Sequence, residues 1–379
     1  MPLNGMLSDC WRRIQGDLFP WLEEELGPLS EMHRQITTVL ELARIEVFVE
    51  TWSCLPGRPP AERASLARSF VAKAVLGLPT TSMLIERLIV DKTLRRLCGW
   101  ERPGHVPSEA TFSRAFAEFA ESGLPARVHE ALIERTLADR LVGHISRDAT
   151  AIEVREKPVR AAAAPARPKR KRGRPKKGEV AAKKEPRRLQ RQAGMTLPEM
   201  LADLPICCNV GTKRNAKGHT ESWIGYKLHL DVADGDIPIS CLMTSASLHD
   251  SQAAIPLATI TAQRVTNCYD LMDSAYDVPE IWETSRALGH VPIIDRHPRS
   301  VTGGKIEIAL AALARRHANY RLAEDVRYNE RSAAERVNSA VKDNYGGRYV
   351  RVRGHAKVLC HLMFGIVALT VDQLMRLVM

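Results

Sequence analysis

The sequence has no pair of cysteines at C-x-x-C spacing. Its eight cysteines are scattered: Cys10, Cys54, Cys98, Cys207, Cys208, Cys241, Cys268 and Cys360. Zinc sites draw their thiolates from short, repeated spacings, so this scatter argues against one. Cys207 and Cys208 read as ordinary buried thiols. A secretory leader is missing too, since "MPLNGMLSDCWRRIQGDLFPW" has no apolar central region. Reduced thiols in a cytoplasm are the expectation. There is also no unbroken apolar run of the roughly 20 residues that a membrane span needs. The most apolar run, "VLCHLMFGIVALTVDQLMRLVM", is interrupted by His361, Asp372, Gln373 and Arg376. It reads as a buried core helix, with no membrane as partner.

A basic excess is missing from most of the chain. The formal net charge is +11 over 379 residues, and the pI is about 9.4. Residues 157–192 alone hold 15 Lys or Arg against 2 Asp or Glu. The remainder holds 40 basic and 42 acidic residues, so the folded parts are close to neutral. Five Pro, a run of Ala and dense like charge cannot bury a core. Residues 157–192 are therefore expected to form a disordered basic insertion that seeks a polyanion.

The chain is long enough for two or three domains, and 45% of it is hydrophobic. Residues 1–140 read as helical. In "TTSMLIERLIVDKTLRRLCGW", Leu84, Leu88, Ile89, Leu94 and Leu97 recur near helical spacing, and Gly99 is a stop signal. Ser108 can cap the next helix, in which Phe112, Phe116 and Phe119 form an i, i+4, i+7 stripe. Two readings fit. One is a helix-turn-helix that touches DNA; the other is a plain bundle whose aromatic stripe is core.

From residue 141 the pattern changes. "GHISRDATAIEV" alternates and is β-branched, so it predicts a strand. Two β-rich runs then flank Ala233-Asp234-Gly235-Asp236, a hairpin signal. "SQAAIPLATITAQRV" is helical, "CYDLMDSAYD" a short buried strand ending in acids, "VPEIWETSRALGH" a helix and "VPIIDRHP" a strand. The remainder is helical. The class is α/β: a mixed sheet flanked by helices, preceded by an all-helical N-terminal domain. An antiparallel hairpin followed by parallel crossovers is the order of a ribonuclease-H-like fold.

Three acids stand out by position. Asp148 lies within a strand, Asp273 at the end of a buried strand, and Glu335 on the late helix "DVRYNERSAAERVNSAVKDNYG", residues 325–346. A carboxylate on an apolar strand is costly unless it is hydrogen-bonded, exposed at the sheet end, or bound to a metal. On a wheel of about 100° per residue with Tyr328 at zero, Arg331 falls near 300°, Glu335 near 340° and Lys342 near 320°. Ala333, Ala334, Val337, Ala340 and Val341 fall on the opposite side. Such a helix can pack its apolar stripe and present a Glu between two cations to a cleft. A solvated helix would show the same polarity, so the wheel leaves the choice open.

The spacing Y-x2-R-x3-E-x6-K, met at Tyr328, Arg331, Glu335 and Lys342, resembles the signature of bacterial insertion-sequence transposases of the DDE type. "RDAT" resembles the first-Asp strand of that group, and "LMDSAYD" its second-Asp block. "GYKLHLDVADGDIPIS" with "ASLHDS" resembles its hairpin and the segment after it, and "HPRS" a later segment. "PSEATFSRAF" resembles the end of its helical N-terminal domain. The likeness spans about residues 60–379. It departs at Ser274-Ala275, where Lys-Gly is common, and in the long basic insertion.

The resemblance implies a DNA transposase with two domains. Residues 1–140 would bind the DNA ends; residues 141–379 would be the ribonuclease-H-like catalytic domain, interrupted by the insertion. Two divalent ions, Mg²⁺ or Mn²⁺, would be held by Asp148, Asp273 and Glu335, with Asp148 bridging both. Arg331 and Lys342 would hold phosphates. Tyr328 would stack on a base, bond a phosphate, or fill the seam between helix and sheet. The partners would be the DNA of element ends and target, bound by a homodimer in a bacterial cytoplasm. His249-Asp250 is either a ligand pair or a structural network. An inactive DNA-binding relative and a nuclease of the same fold are the alternatives. In the insertion, Arg172-Gly173-Arg174-Pro175 resembles an AT-hook. Arg172 and Arg174 would then enter a narrow minor groove, or attract phosphates without specificity.

Overall fold

The computed structural model describes residues 3–50, 60–159, 185–214, 218–296, 304–319 and 322–378. Alternation and β-branching from residue 141 produce six strands: β1 (Leu141–Glu153), β2 (Asn209–Arg214), β3 (Thr220–Ala233), β4 (Ile237–Ser245), β5 (Thr266–Met272) and β6 (Val291–Ile294). They form one mixed sheet. β1 lies between β3, which is antiparallel to it, and β5, which is parallel. β6 extends the parallel side. β4 and β2 pair with successive stretches of β3. The β3–β4 turn uses Gly235 at φ 77° and Asp236 at φ 59°, the left-handed backbone that Gly adopts freely and Asp tolerates. Asp234, in the same turn, accepts a hydrogen bond from Gly143 N at 2.6 Å and so clamps the start of β1.

Among the described residues, eight α-helices precede the sheet: α1 (Leu3–Arg13), α2 (Phe19–Leu26), α3 (Glu31–Ala43), α4 (Arg63–Val75), α5 (Thr81–Val90), α6 (Lys92–Leu97), α7 (Glu109–Glu121) and α8 (Leu124–Leu137). The run expected as one helix before Gly99 is two, because Asp91 caps α6 by accepting from Leu94 N at 2.9 Å. Ser108 has N-cap backbone angles, but its hydroxyl meets Thr111 instead of a backbone N–H. The phenylalanine stripe is buried. Phe112, Phe116 and Phe119 surround Phe70, and Phe364 closes the cluster at 5.6 Å from Phe70.

Among the described residues, eight further α-helices follow β1: α9 (Arg188–Gln192), α10 (Leu197–Asp203), α11 (Ala254–Arg264), α12 (Pro279–Ala287), α13 (Gly304–His317), α14 (Ala323–Tyr328), α15 (Ser332–Asp343) and α16 (His355–Arg376). α16 is long and apolar enough to cross a membrane, yet 83% of its most apolar stretch is buried inside the protein. It packs on α3, α4, α7 and α8 on one side and on β4 and α15 on the other. One continuous apolar cluster thus runs from Leu7 to Met375. Residues 1–140 and the sheet share this core.

Two expectations need correction. The basic insertion was expected to be disordered through Gln192. Its last residues are ordered instead: Leu189 and Gln192 are buried, and Arg188 pairs with Asp203 at 2.7 Å. An Arg with a carboxylate within reach and a Leu beside it can be anchored where a bare charge run cannot. Of the expected pair of buried thiols, Cys208 is buried but Cys207, in the bend before β2, is exposed.

Candidate active site

β1 presents different residues on its two faces. Its parallel ladder to β5 pairs Ile145 with Asp270 and Ser146 with Leu271. Continued by two residues, this register sets Asp148 level with Asp273, on the face that carries Ser146. The intervening pair agrees, since Arg147 Nη1 lies 3.4 Å from Met272 Sδ. α15 lies over this face. Ser146 Oγ donates to Arg331 O at 2.6 Å and accepts from Ala334 N at 3.4 Å. Asn338 Nδ2 donates to Asp148 Oδ2 at 3.0 Å. Ala333, Ala334, Val337 and Val341 are buried, so the apolar stripe read from the sequence is the packing face.

Asp148 and Asp273 share an acidic hollow. Asp273 opens the turn after β5, its Oδ1 accepting from Ala275 N at 2.9 Å. Burial, followed by the charges of Asp273 and Asp250, pushes the Asp148 carboxyl up to about 6. Burial also raises Asp273, assisted by Asp250 and Asp295. Arg331 opposes both shifts. Two polar atoms bordering the hollow, Tyr276 Oη and Asn338 Oδ1, are buried without a hydrogen-bond partner among the described residues. Burial and the charges of Asp250, Asp148 and Asp273 hold the Tyr276 hydroxyl well above its ordinary range.

Glu335 stands apart from this pair. Its side chain is 55% exposed, and its Oε1 accepts from Arg331 Nη2 at 2.8 Å. Among the described residues, no three His, Cys, Asp or Glu side chains are gathered closely enough to hold a metal ion. The stretch 325–346 is not one helix either. α14 ends at Tyr328, Asn329–Arg331 forms a 3₁₀ turn, and α15 begins at Ser332. The tighter turn lets Arg331 lie with its guanidinium 5.7 Å from the half-buried Tyr328 ring while still reaching Glu335 one turn on. Burial raises the Tyr328 hydroxyl, with Asp295 and Asp273 adding to the effect, so this ring borders the same hollow. Lys342 belongs to a different group. Burial lowers its pKa, and the neighbouring cations Arg348 and Lys213 lower it further. Arg172, Arg174 and the "HPRS" segment lie outside the described residues.

Several contributors were not evident in the sequence. Asn338 sits near 280° on the wheel, on the polar face with Arg331 and Glu335. That angle was available, but a neutral amide drew no attention beside four functional-looking neighbours. The opposite face of β1 holds Arg147, which forks onto Asp231 at 2.8 and 2.7 Å. Both are buried, and Thr261 Oγ1 of α11 donates to Asp231 at 2.5 Å. Nearby, Asp270 accepts from Asn267 and pairs with His290 at 3.1 Å. Only the strand register brings these residues together. His249-Asp250 forms a network: Lys227 Nζ meets Asp250 at 2.8 Å, and His249 is hydrogen-bonded to Ser251.

A family model described as "Transposase DDE domain" matches residues 144–371, more than half of the protein. The chain belongs to the DDE transposase family. A second model, "Transposase domain (DUF772)", matches residues 22–118 within the helical region. No curated protein and no solved structure is significantly similar to the chain. The protein is thus an insertion-sequence DNA transposase with a ribonuclease-H-like mixed sheet. DNA binding and dependence on a divalent metal come with the family.

Proposed function

We propose that this transposase cuts and joins DNA with Asp148, Asp273 and Glu335 as ligands of two ions, Mg²⁺ or Mn²⁺. The observation that carries this reading is the placing of Asp148 beside Asp273 on adjacent parallel strands, both held above the usual carboxylate range. Crowded carboxylates with hard oxygens suit such a cation. The orphaned Tyr276 Oη and Asn338 Oδ1 beside them suit its bound water. Glu335 completes the set on leaving Arg331. When bound, the ions activate the attacking oxygen and stabilise the departing one.

The chain's own residues do the rest. Asn338 holds the Asp148 carboxylate in one orientation. Arg331, once free of Glu335, offers a fork to a phosphate beside the hollow. Lys342 adds a second positive point with Lys213 and Arg348. Tyr328 supplies a ring at the rim. Two element ends must meet for joining, so the working form is a homodimer, acting in the bacterial cytoplasm away from membranes.

A supercoiled plasmid carrying the element ends tests this with Mg²⁺ present. The wild type should nick and join. Glu335→Gln should lose cleavage while binding the ends within a few-fold of wild type; retained cleavage would remove Glu335 from the metal set. Binding without cleavage by the wild type would make it an inactive relative, and cleavage without joining a nuclease.

A further inference from the structure

A separate pocket lies away from the acidic hollow, where the helical region meets the chain leaving α15. It encloses about 360 Å³ between α4, α5, α7, α16 and residues 345–352. Its walls include Phe70, Phe116 and Phe364, and Lys73 from the last turn of α4 projects among them. Lys73 is only 8% exposed. Burial lowers its pKa, to about 8. Its carbonyl accepts from Leu78 N at 3.0 Å, but among the described residues its ammonium has no hydrogen-bond or ion-pair partner. A protonated lysine in that position is costly unless an anion accompanies it.

The rest of the lining fits an anion. Thr80 caps α5 through Met83 N at 3.2 Å, which leaves the first backbone N–H groups of that ten-residue helix without partners inside it. Arg351 and Ser113 stand at the mouth, together with one acid, Glu109. His361 donates to Gly346 O at 3.0 Å and adds no negative charge. The loop is pinned closely. A Cβ on Gly365 would meet Tyr345 O at 2.6 Å, so only glycine lets the loop settle on α16. Gly347 N in turn bonds Val341 O at 2.9 Å, which ties this loop to the end of α15.

We propose that this pocket is an anion site that grips one phosphate group of the bound DNA backbone, using Lys73, Arg351 and the α5 N-terminus. A phosphate held there joins the helical region to the helix that bears Glu335 and Lys342. Only the choice of DNA as the source of the phosphate rests on the transposase reading.

The test uses the full chain, with two arms. In the first, thermal unfolding is compared in potassium phosphate and potassium chloride at matched ionic strength and pH. Phosphate should raise the wild-type Tm by several degrees, and the rise should vanish in Lys73→Met. In the second, DNA binding is measured against salt in an Asp148→Asn background, so cleavage is not needed. Lys73→Met should flatten the slope of log K against log salt by about one unit. Arg351→Gln, at an exposed position, should act in the same direction and keeps the test valid if Lys73→Met fails to fold. No phosphate effect on the wild type, or an equal effect in both variants, would overturn the site. Lost phosphate protection with an unchanged salt slope would assign the pocket to a free anion and overturn the DNA assignment.

Discussion

Arg147 and Asp148 are neighbours in sequence but belong to opposite faces of one sheet, and the two faces treat charge differently. On the Arg147 side every charge is matched. Arg147 forks onto Asp231, Thr261 bonds the same carboxylate, and His290 pairs with Asp270. On the Asp148 side, two carboxylates are crowded together with one neutral amide and one arginine nearby. The first face is closed and braces the sheet. The second keeps an electrostatic deficit that a cation would relieve. Alternation along a strand lets one protein maintain both within two residues.

The largest test of this contrast is Asp148→Asn. It should reduce cleavage by more than about 10³-fold, roughly 4 kcal/mol of barrier. In chelator, the same variant should melt no lower than wild type, because it removes a poorly compensated charge. A clear drop in Tm would place Asp148 with the bracing residues.

Asp231→Ala should do the reverse. Removing one partner of a buried pair leaves Arg147 uncompensated and should cost about 3–5 kcal/mol in denaturant unfolding. Replacing both partners with apolar residues should recover much of that loss. A stable Asp231→Ala protein would show that the closed face is not braced by this pair.

A smaller effect is expected at Asn338. Asn338→Ala should lower the cleavage rate by about 10-fold, within the range for residues that orient a ligand. Asn338→Gln should not restore it, since the longer side chain cannot keep the 3.0 Å contact with Asp148. Unchanged rates would mean that Asp148 is held by the strand alone.

The smallest effect is a pH dependence on the closed face. Burial pushes His229 down to about 4, while it is hydrogen-bonded to Thr244 at 2.9 Å. Its folded pKa lies below the unfolded value of about 6.5. The unfolded chain therefore takes up the proton first. The stability contributed above pH 6.5 should fall as pH drops from 6.5 through 4. His229→Gln should flatten that part of the stability–pH curve, and an equal slope in both proteins would remove His229 as its cause.

Much of the fold was legible in local pattern. Alternation marked β1, Asp234-Gly235-Asp236 marked the hairpin, and the apolar stripe of α15 marked its packing face. These features depend on residues close in sequence. The continuous core was not legible, because Phe70, Phe116 and Phe364 are brought together by packing alone. The break at Asn329–Arg331 was missed since its residues are all compatible with a helix. Asp148 and Asp273 stood out as acids placed on apolar strands. The Glu335–Arg331 pairing follows the i, i+4 rule and was open to inspection, yet the wheel showed only their shared face and not their contact.

By itself, the sequence determined where the strands and helices lie, which helix face is apolar, and which three acids deserve attention. Those properties follow from periods of two and 3.6 residues and from the cost of burying charge. The tertiary structure decided which residues meet. Parallel register brought Asp148 to Asp273, sheet alternation sent Arg147 to Asp231, and the packing of α15 gave Asp148 to Asn338 while Glu335 turned to Arg331. Contacts between residues more than a hundred positions apart depend on register and packing, which no local pattern encodes.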